Sequence, residues 1–157
     1  MQNRRIAIRS FEKADVPAVI AFERELRRQE PDTYFWEPDE AYARQLEASF
    51  EDPRFNTAIS FLAIRDGSVI GRIDASVISS RSDAACCSVY LDWICVLKSE
   101  RHGRIAQALL EALRAECKKR GAELLIALMA ANDEAQRFYK SVEGASIHDT
   151  GIWIELD

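Results

Sequence analysis

Histidine is nearly absent from this chain of 157 residues, with His102 and His148 alone, and the cysteines Cys86, Cys87, Cys95 and Cys117 show no Cys-x-x-Cys spacing. Such a set offers no convincing zinc site, so no metal is expected. No apolar stretch approaches the ~20 residues of a membrane-spanning helix. Arg4 and Arg5 near the start are followed by no long apolar run or cleavage signal, so a secreted or membrane protein is not expected. Four reduced thiols in a cytoplasmic protein is the reading that follows. Excess positive charge is lacking too: the formal net charge is −5 and the pI about 5.2, which argues against a general attraction to nucleic acid. No Gly-x-Gly-x-x-Gly follows the first strand-like segment, which argues against a dinucleotide-binding oxidoreductase. Repeats, low-complexity stretches and linkers are missing as well, leaving one domain over residues 1–157.

What the chain does have is 48% apolar and 30% charged residues, the balance of a soluble globular domain large enough to bury a core. Ile6 to Arg9 reads as an opening strand. Glu12 to Arg28 reads as a helix with Val16, Val19, Ile20, Phe22 and Leu26 along its apolar stripe, ended by Pro31. A second helix runs from Asp39 to Phe50 and is closed by Pro53. The texture then changes. Ala58 to Arg65 and Val69 to Ile78 are β-rich and separated by Asp66-Gly67-Ser68, a hairpin signal. After the polar patch Ser79 to Asp83, Cys86 to Val96 is another strand-like run. A long helix from about Gly103 to Arg120 places Ile105, Leu109, Leu110, Leu113 and Cys117 on one face. Glu123 to Met129 is short enough for a buried strand, Asn132 or Asp133 can cap a last helix to about Ser141, and Ile147 to Leu156 closes with strand-like residues. Strands alternate with helices only in the second half, which predicts an α/β domain of the α+β kind with a mixed sheet.

The segment that carries chemistry is Leu91-Asp92-Trp93-Ile94-Cys95-Val96 followed by Arg101-His102-Gly103-Arg104-Ile105-Ala106. A buried strand runs into a polar turn that opens a long amphipathic helix. Backbone N–H groups there lack intrahelical partners at the positive end of the helix dipole, a natural seat for phosphate or pyrophosphate. Arg101 and Arg104 add charge of the matching sign. A helix start that binds nothing is the competing reading of the same residues.

This segment resembles the cofactor-binding motif of the GNAT superfamily of N-acetyltransferases: Arg or Gln, two residues, Gly, one residue, then Gly or Ala. Arg101 and Ala106 match its ends, and Ala108-Leu109-Leu110 continues as the family's helix does. Arg104 stands where the family has glycine, and the glycine here lies one place earlier, at Gly103. A side chain at 104 could crowd a pyrophosphate, point away, or clasp a phosphate itself. Asn132-Asp133-Glu134-Ala135-Gln136-Arg137-Phe138-Tyr139, followed by Gly144-Ala145, resembles the family's second signature. Ile6 to Arg9 with Asp15 is similar to its opening, and Phe61 to Ile78 to its central hairpin.

The resemblance implies a GNAT-like fold, in which a central mixed sheet splays between the strands ending near Val96 and Met129. It also implies transfer of an acetyl group from acetyl-CoA to an amine, directly within a ternary complex. Ile94, Cys95 and Val96 would align the pantetheine arm, Arg101 to Ala106 (His102, Gly103, Arg104 and Ile105 between them) would hold the pyrophosphate, and Asn132 would hydrogen-bond the arm while capping its helix. Tyr139 would protonate the departing thiolate, since a phenol of pKa ~10 stays protonated at neutral pH. Asp92 is the candidate base, directly or through water, or a carboxylate that is structural or pairs with the charge of the substrate. Phe35, Trp36 and Trp93 would line the acceptor pocket, or pack as core aromatics. Cys95, in an apolar strand with no histidine near in sequence, reads as a packed thiol and not a nucleophile. The fold often pairs, so a homodimer is expected. The alternative reading is a CoA-binding protein without turnover that serves regulation or assembly.

Overall fold

The structure, a computed structural model, describes residues 6–79, 81, 87–149 and 151–156. Cys86, the first residue of the strand-like run 86–96, and Ser80, Ser82 and Asp83 of the preceding patch lie outside the described residues. The chain divides into two units, one ending at Ile126 and one starting at Ala127, and each is taken by itself.

The first unit is built on the sheet. Strands β1 (Ala7–Ser10), β2 (Ala58–Arg65), β3 (Ser68–Ile78), β4 (Ser88–Val96) and β5 (Leu124–Ala127, which reaches the boundary) lie side by side in that order. The sheet is mixed and the fold of the α+β class; the first three pairings are antiparallel. Between β2 and β3 the turn is two residues long, with Asp66 at φ 51° and Gly67 at φ 79°. Two successive positive φ angles match the twist of a tight hairpin, which is why Asp-Gly serves there.

Helices α1 (Val16–Gln29), α2 (Glu40–Ser49) and α3 (Ile105–Lys119) belong to this unit. The 12–28 segment is not one helix: a 3-10 turn at Lys13–Asp15 precedes α1, and Pro17 sits at the start of the α-helix, where its missing N–H costs nothing. Asp39 caps α2 by accepting from Tyr42 N at 2.8 Å. Helix α3 buries Ile105, Leu109, Leu110, Leu113 and Cys117, the predicted stripe, at roughly 1.5–3 kcal/mol for each fully buried large side chain. It comes close to β3 because of Gly71: a Cβ there would stand 3.2 Å from Cys95 O and Leu109 Cδ1. Gly71 thus faces α3, whereas its neighbour Arg72 reaches Glu23 of α1. The sheet therefore carries α1 on one face and α3 on the other.

A register shift between Asp74 and Ala75 interrupts the β3–β4 ladder. Asp74 pairs with Trp93 and Ala75 with Leu91, so Asp92 is the extra residue of a bulge in β4. The bulge reverses the alternation. Leu91 shares the α3 face with Ala75, while Trp93 and Cys95 share the other face with Asp74 and Arg72.

In the second unit, α4 (Asp133–Lys140) is capped by Asn132, whose Oδ1 accepts from Ala135 N at 2.8 Å. The closing run does not form the expected strands: among its described residues no strand occurs. Ile147, Ile152, Trp153, Ile154 and Leu156 stay at least 70% exposed, so no burial offsets the entropy of ordering them.

Candidate active site

On the α1 face of the sheet, the first unit holds an open cavity of about 810 Å³. Its aromatic wall includes Phe11, Trp36, Tyr42, Phe50, Phe55 and Trp93, and Glu37, Asp52, Asp74 and Asp92 face it with Arg72. Three of the four carboxylates are paired, Glu37 with Arg27, Asp52 with Arg54 and Asp74 with Arg72. Asp92, the bulge residue, is exposed and lines the cavity, with no hydrogen-bond or ion-pair partner among the described residues. Trp93 beside it meets Trp36 edge to face, with ring centroids 5.6 Å apart. Phe35 is 83% exposed and is not part of this wall. Of the three aromatics expected at an acceptor pocket, two are thus brought together here.

The floor is charged and buried. Glu23, fully buried on α1, accepts from Trp36 Nε1 at 2.9 Å, from Tyr42 OH at 3.1 Å and from Arg72 Nη1 at 2.7 Å. Asp74 takes Arg72 Nη2 at 3.1 Å and Ser60 Oγ at 2.6 Å. Arg72 Nε and Asp74 Oδ2 also lie 2.6 Å apart, yet neither has a well-aligned hydrogen bond, so that contact is coulombic. The Arg72 guanidinium sits 5.0 Å from the Phe11 ring and 5.5 Å from the Trp93 ring. Burial disfavours its charge, but Asp74 and Glu23 outweigh burial and raise its pKa. Burial raises the pKa of Glu23 against the opposing pull of Trp36 and Arg72. Burial, with the Glu23 charge, pushes the Tyr42 phenol up to about 12. Of these residues Trp36 and Trp93 were expected at the site from the sequence, whereas Glu23, Tyr42, Arg72 and Asp74 were not singled out. The one available signal is that Glu23 occupies an apolar position of the α1 stripe, between Ile20 and Leu26.

Past β4 the chain makes the turn that opens α3. Arg101, its side chain largely buried, is bound to Glu30 at the end of α1, with Nη1 to Oε1 at 3.0 Å and Nη2 to Oε2 at 2.5 Å, and its Nε donates to Val96 O at 3.3 Å. Gln29 brackets Ser99, donating to Oγ and accepting from N, both at 3.1 Å, and Arg65 pairs with Glu100. The turn is thus pinned by side chains from α1 and β2. His102 (φ 67°) and Arg104 (φ 58°) both adopt the left-handed conformation that favours glycine. Arg104 is exposed, makes no ion pair among the described residues, and is the N-cap of α3 without a side-chain cap bond. The first amides of α3 are therefore left for a ligand or solvent. Ile105 is buried beneath them and Ala106 half-buried.

Ile94 faces the α3 side opposite Ile73, Val96 pairs with Gly71, and both Cys95 and Val96 are buried. Burial pushes the Cys95 thiol well above its ordinary pKa, which disfavours the thiolate that a nucleophile needs. In the second unit, Asn132 and Tyr139 lie at the start and near the end of α4, and Tyr139 packs its ring 5.1 Å from Phe138. Among the described residues no group of three or more histidine, cysteine or acidic side chains is placed to hold a metal, and no helix is long and apolar enough to cross a membrane.

The first unit is thus a five-stranded α+β sheet, bulged at its fourth strand and followed by a pinned turn and a long helix without a side-chain cap. The family model described as Acetyltransferase (GNAT) family matches residues 20–144, and the chain belongs to that family. Solved structures share the fold. An aminoglycoside acetyltransferase from an uncultured soil metagenomic sample, in complex with trehalose, superposes with a TM-score of 0.81 at 18% identity, covering 100% of both chains. AAC(6')-Iy, in complex with the bisubstrate analogue CoA-S-monomethyl-acetylneamine, gives 0.75 at 19% over 98% of this chain and 99% of the other. The ribosomal-protein-alanine N-acetyltransferase of Brucella melitensis biovar Abortus 2308 gives 0.73 at 18% over 98% and 100%. No curated protein sequence matches the chain.

Proposed function

We propose that residues 1–157 form one acetyltransferase domain that moves an acetyl group from acetyl-CoA to a primary amine of a small molecule or peptide, by direct attack with both substrates bound. The observation that carries this reading is Asp92, a carboxylate held by the bulge at the edge of an aromatic, acid-lined cavity. Such a cavity attracts an ammonium group through that carboxylate and its ring faces. An amine of pKa ~10.4 arrives protonated and must lose a proton before it attacks. Asp92 accepts that proton, directly or through water, and the buried Cys95 takes no covalent part.

The donor fits the residues present. The uncapped amides at the start of α3 suit a pyrophosphate, and the left-handed backbone at Arg104 is the conformation for which the family uses glycine. Arg104 contributes a guanidinium there, whereas Arg101 is committed to Glu30 and acts by shaping the turn. Val96 and its neighbours in β4 guide the arm, and Asn132 assists from its cap position. Bound acetyl-CoA supplies the thioester, whose C–S bond is exchanged for an N–C bond to the acceptor. Tyr139 holds the proton that the departing sulfur takes up.

The test is calorimetric titration with acetyl-CoA, then a thiol-release screen over mono-, di- and polyamines and peptide N-termini. Saturable binding with amine-dependent thiol release supports the proposal. Binding without release to any amine would favour the CoA-binding protein without turnover, and absence of binding at near-millimolar ligand would end both readings.

A further inference from the structure

A carboxylate stands behind the cavity without lining it. Glu23 lies where the spacing of the α1 stripe asks for an apolar side chain, and an apolar residue there would avoid the desolvation of a charge. An ionised carboxylate only accepts hydrogen bonds, in about four directions. Donors from three separate elements take up three of them: Trp36 from the loop before α2, Tyr42 from α2 and Arg72 from β3. All three donors line the cavity.

We propose that Glu23 is the positioning residue of the acceptor cavity and that, through these donors, it sets which acceptor fits. The inference rests on the reading of the cavity as the acceptor site. Trp36 lies in a stretch with no helix or strand of its own. Its ring meets Tyr34 and Trp93 edge to face, at 5.4 and 5.6 Å, and the N–H bond to Glu23 fixes its rotation. Arg72 is held from one side by Glu23 and from the other by Asp74, and this keeps its guanidinium against the Trp93 ring. A glutamine at 23 would offer one acceptor oxygen and an NH2 group. That NH2 would oppose either the Trp36 N–H or the Arg72 and Tyr42 donors, and one wall would come loose.

The experiment compares full-length wild type, E23Q, W36F and the double variant E23Q/W36F. One readout is KM for the acceptor amine against KM for acetyl-CoA. The other, which needs no acceptor, is acrylamide quenching of tryptophan fluorescence, with exposed Trp153 as common background. For E23Q the expected result is about a tenfold rise in acceptor KM. The KM for acetyl-CoA stays within about twofold, quenching increases, and the double variant is no worse than E23Q alone. An equal rise in both KM values, unchanged kinetics in a folded variant, or additive losses in the double variant overturn the proposal. Should E23Q fail to fold, Tyr42→Phe removes one donor, and a rise in acceptor KM of about threefold is expected; no change overturns it. If the wild type acetylates no amine, the functional reading fails on its own, and unchanged quenching in E23Q would then decide separately against Glu23.

Discussion

Glu30 closes both carboxylate oxygens on the guanidinium of Arg101, 71 residues away in sequence. The arginine in the turn before α3 is therefore anchored to the end of α1. Both side chains are over four-fifths buried, so removing Glu30 takes two charge-assisted bonds from Arg101 and leaves it the bond to Val96 O. Glu30→Ala should lower stability by about 1–3 kcal/mol, read from urea unfolding. Arg101→Ala in addition should cost much less than the sum of the two single changes.

Arg104 is a non-glycine residue in the left-handed region, a conformation that costs an L-residue roughly 1–2 kcal/mol. Arg104→Gly gives part of that back against the greater unfolded-state freedom of glycine. A net gain of about 0.5–1 kcal/mol is expected, seen as a higher melting temperature. Acetyl-CoA affinity, titrated in parallel, reports whether the Arg104 guanidinium contributes to binding.

At Gly71 the packing of α3 leaves no room for a branched side chain. Two of the three nearest atoms belong to Leu109 and Ile105 and the third is the backbone oxygen of Cys95, which cannot rotate aside. Gly71→Val should destabilise by about 1–3 kcal/mol, measured by thermal unfolding.

Asp15 receives Arg9 through two bonds of 2.6 Å, and its hydrogen bonding to Arg9 holds its carboxyl below the ordinary range despite partial burial. Near the unfolded pKa of ~3.9 the unfolded chain then binds more protons than the folded one. The contribution of Asp15 is thus complete above that pH and is lost as pH falls through the lower folded value. Asp15→Asn should flatten the acid limb of a stability-versus-pH curve; an unchanged limb would mean the pair is worth nothing in solution.

In the proposed reaction Tyr139 and Asp92 handle different protons and should separate kinetically. Tyr139→Phe should lower kcat by about 10²-fold or more with acetyl-CoA binding unchanged. Asp92→Asn should lower kcat/KM near neutral pH and steepen its rise toward alkaline pH, because acceptor deprotonation then depends on bulk base. A Tyr139→Phe enzyme with full kcat would remove the phenol from the reaction.

Local signals were legible. Asp66-Gly67 marks the hairpin because two positive φ angles demand those residues, and Asn132 marks the start of α4 because its side chain caps it. Pairs far apart in the chain were not. Glu23 and Arg72 are 49 residues apart, and only the misfit of a carboxylate in an apolar stripe hints that such a partner exists. The bulge is hidden for another reason: Val89, Leu91, Trp93 and Cys95 alternate without a break, so the pattern carries no trace of the change of face at Asp92. The apolar run 147–156 reads as strand by composition, but composition does not supply a neighbouring strand, and its described residues form none.

Helix α1 carries Glu23 near its middle and Gln29 and Glu30 at its end, so one rigid rod supports both the cavity floor and the turn before α3. If a ligand on one side shifts this helix, thermodynamic reciprocity requires that a ligand on the other side change the first affinity by the same factor. The final population of doubly occupied protein is then independent of the order in which the two partners arrive; only the route and its speed depend on it.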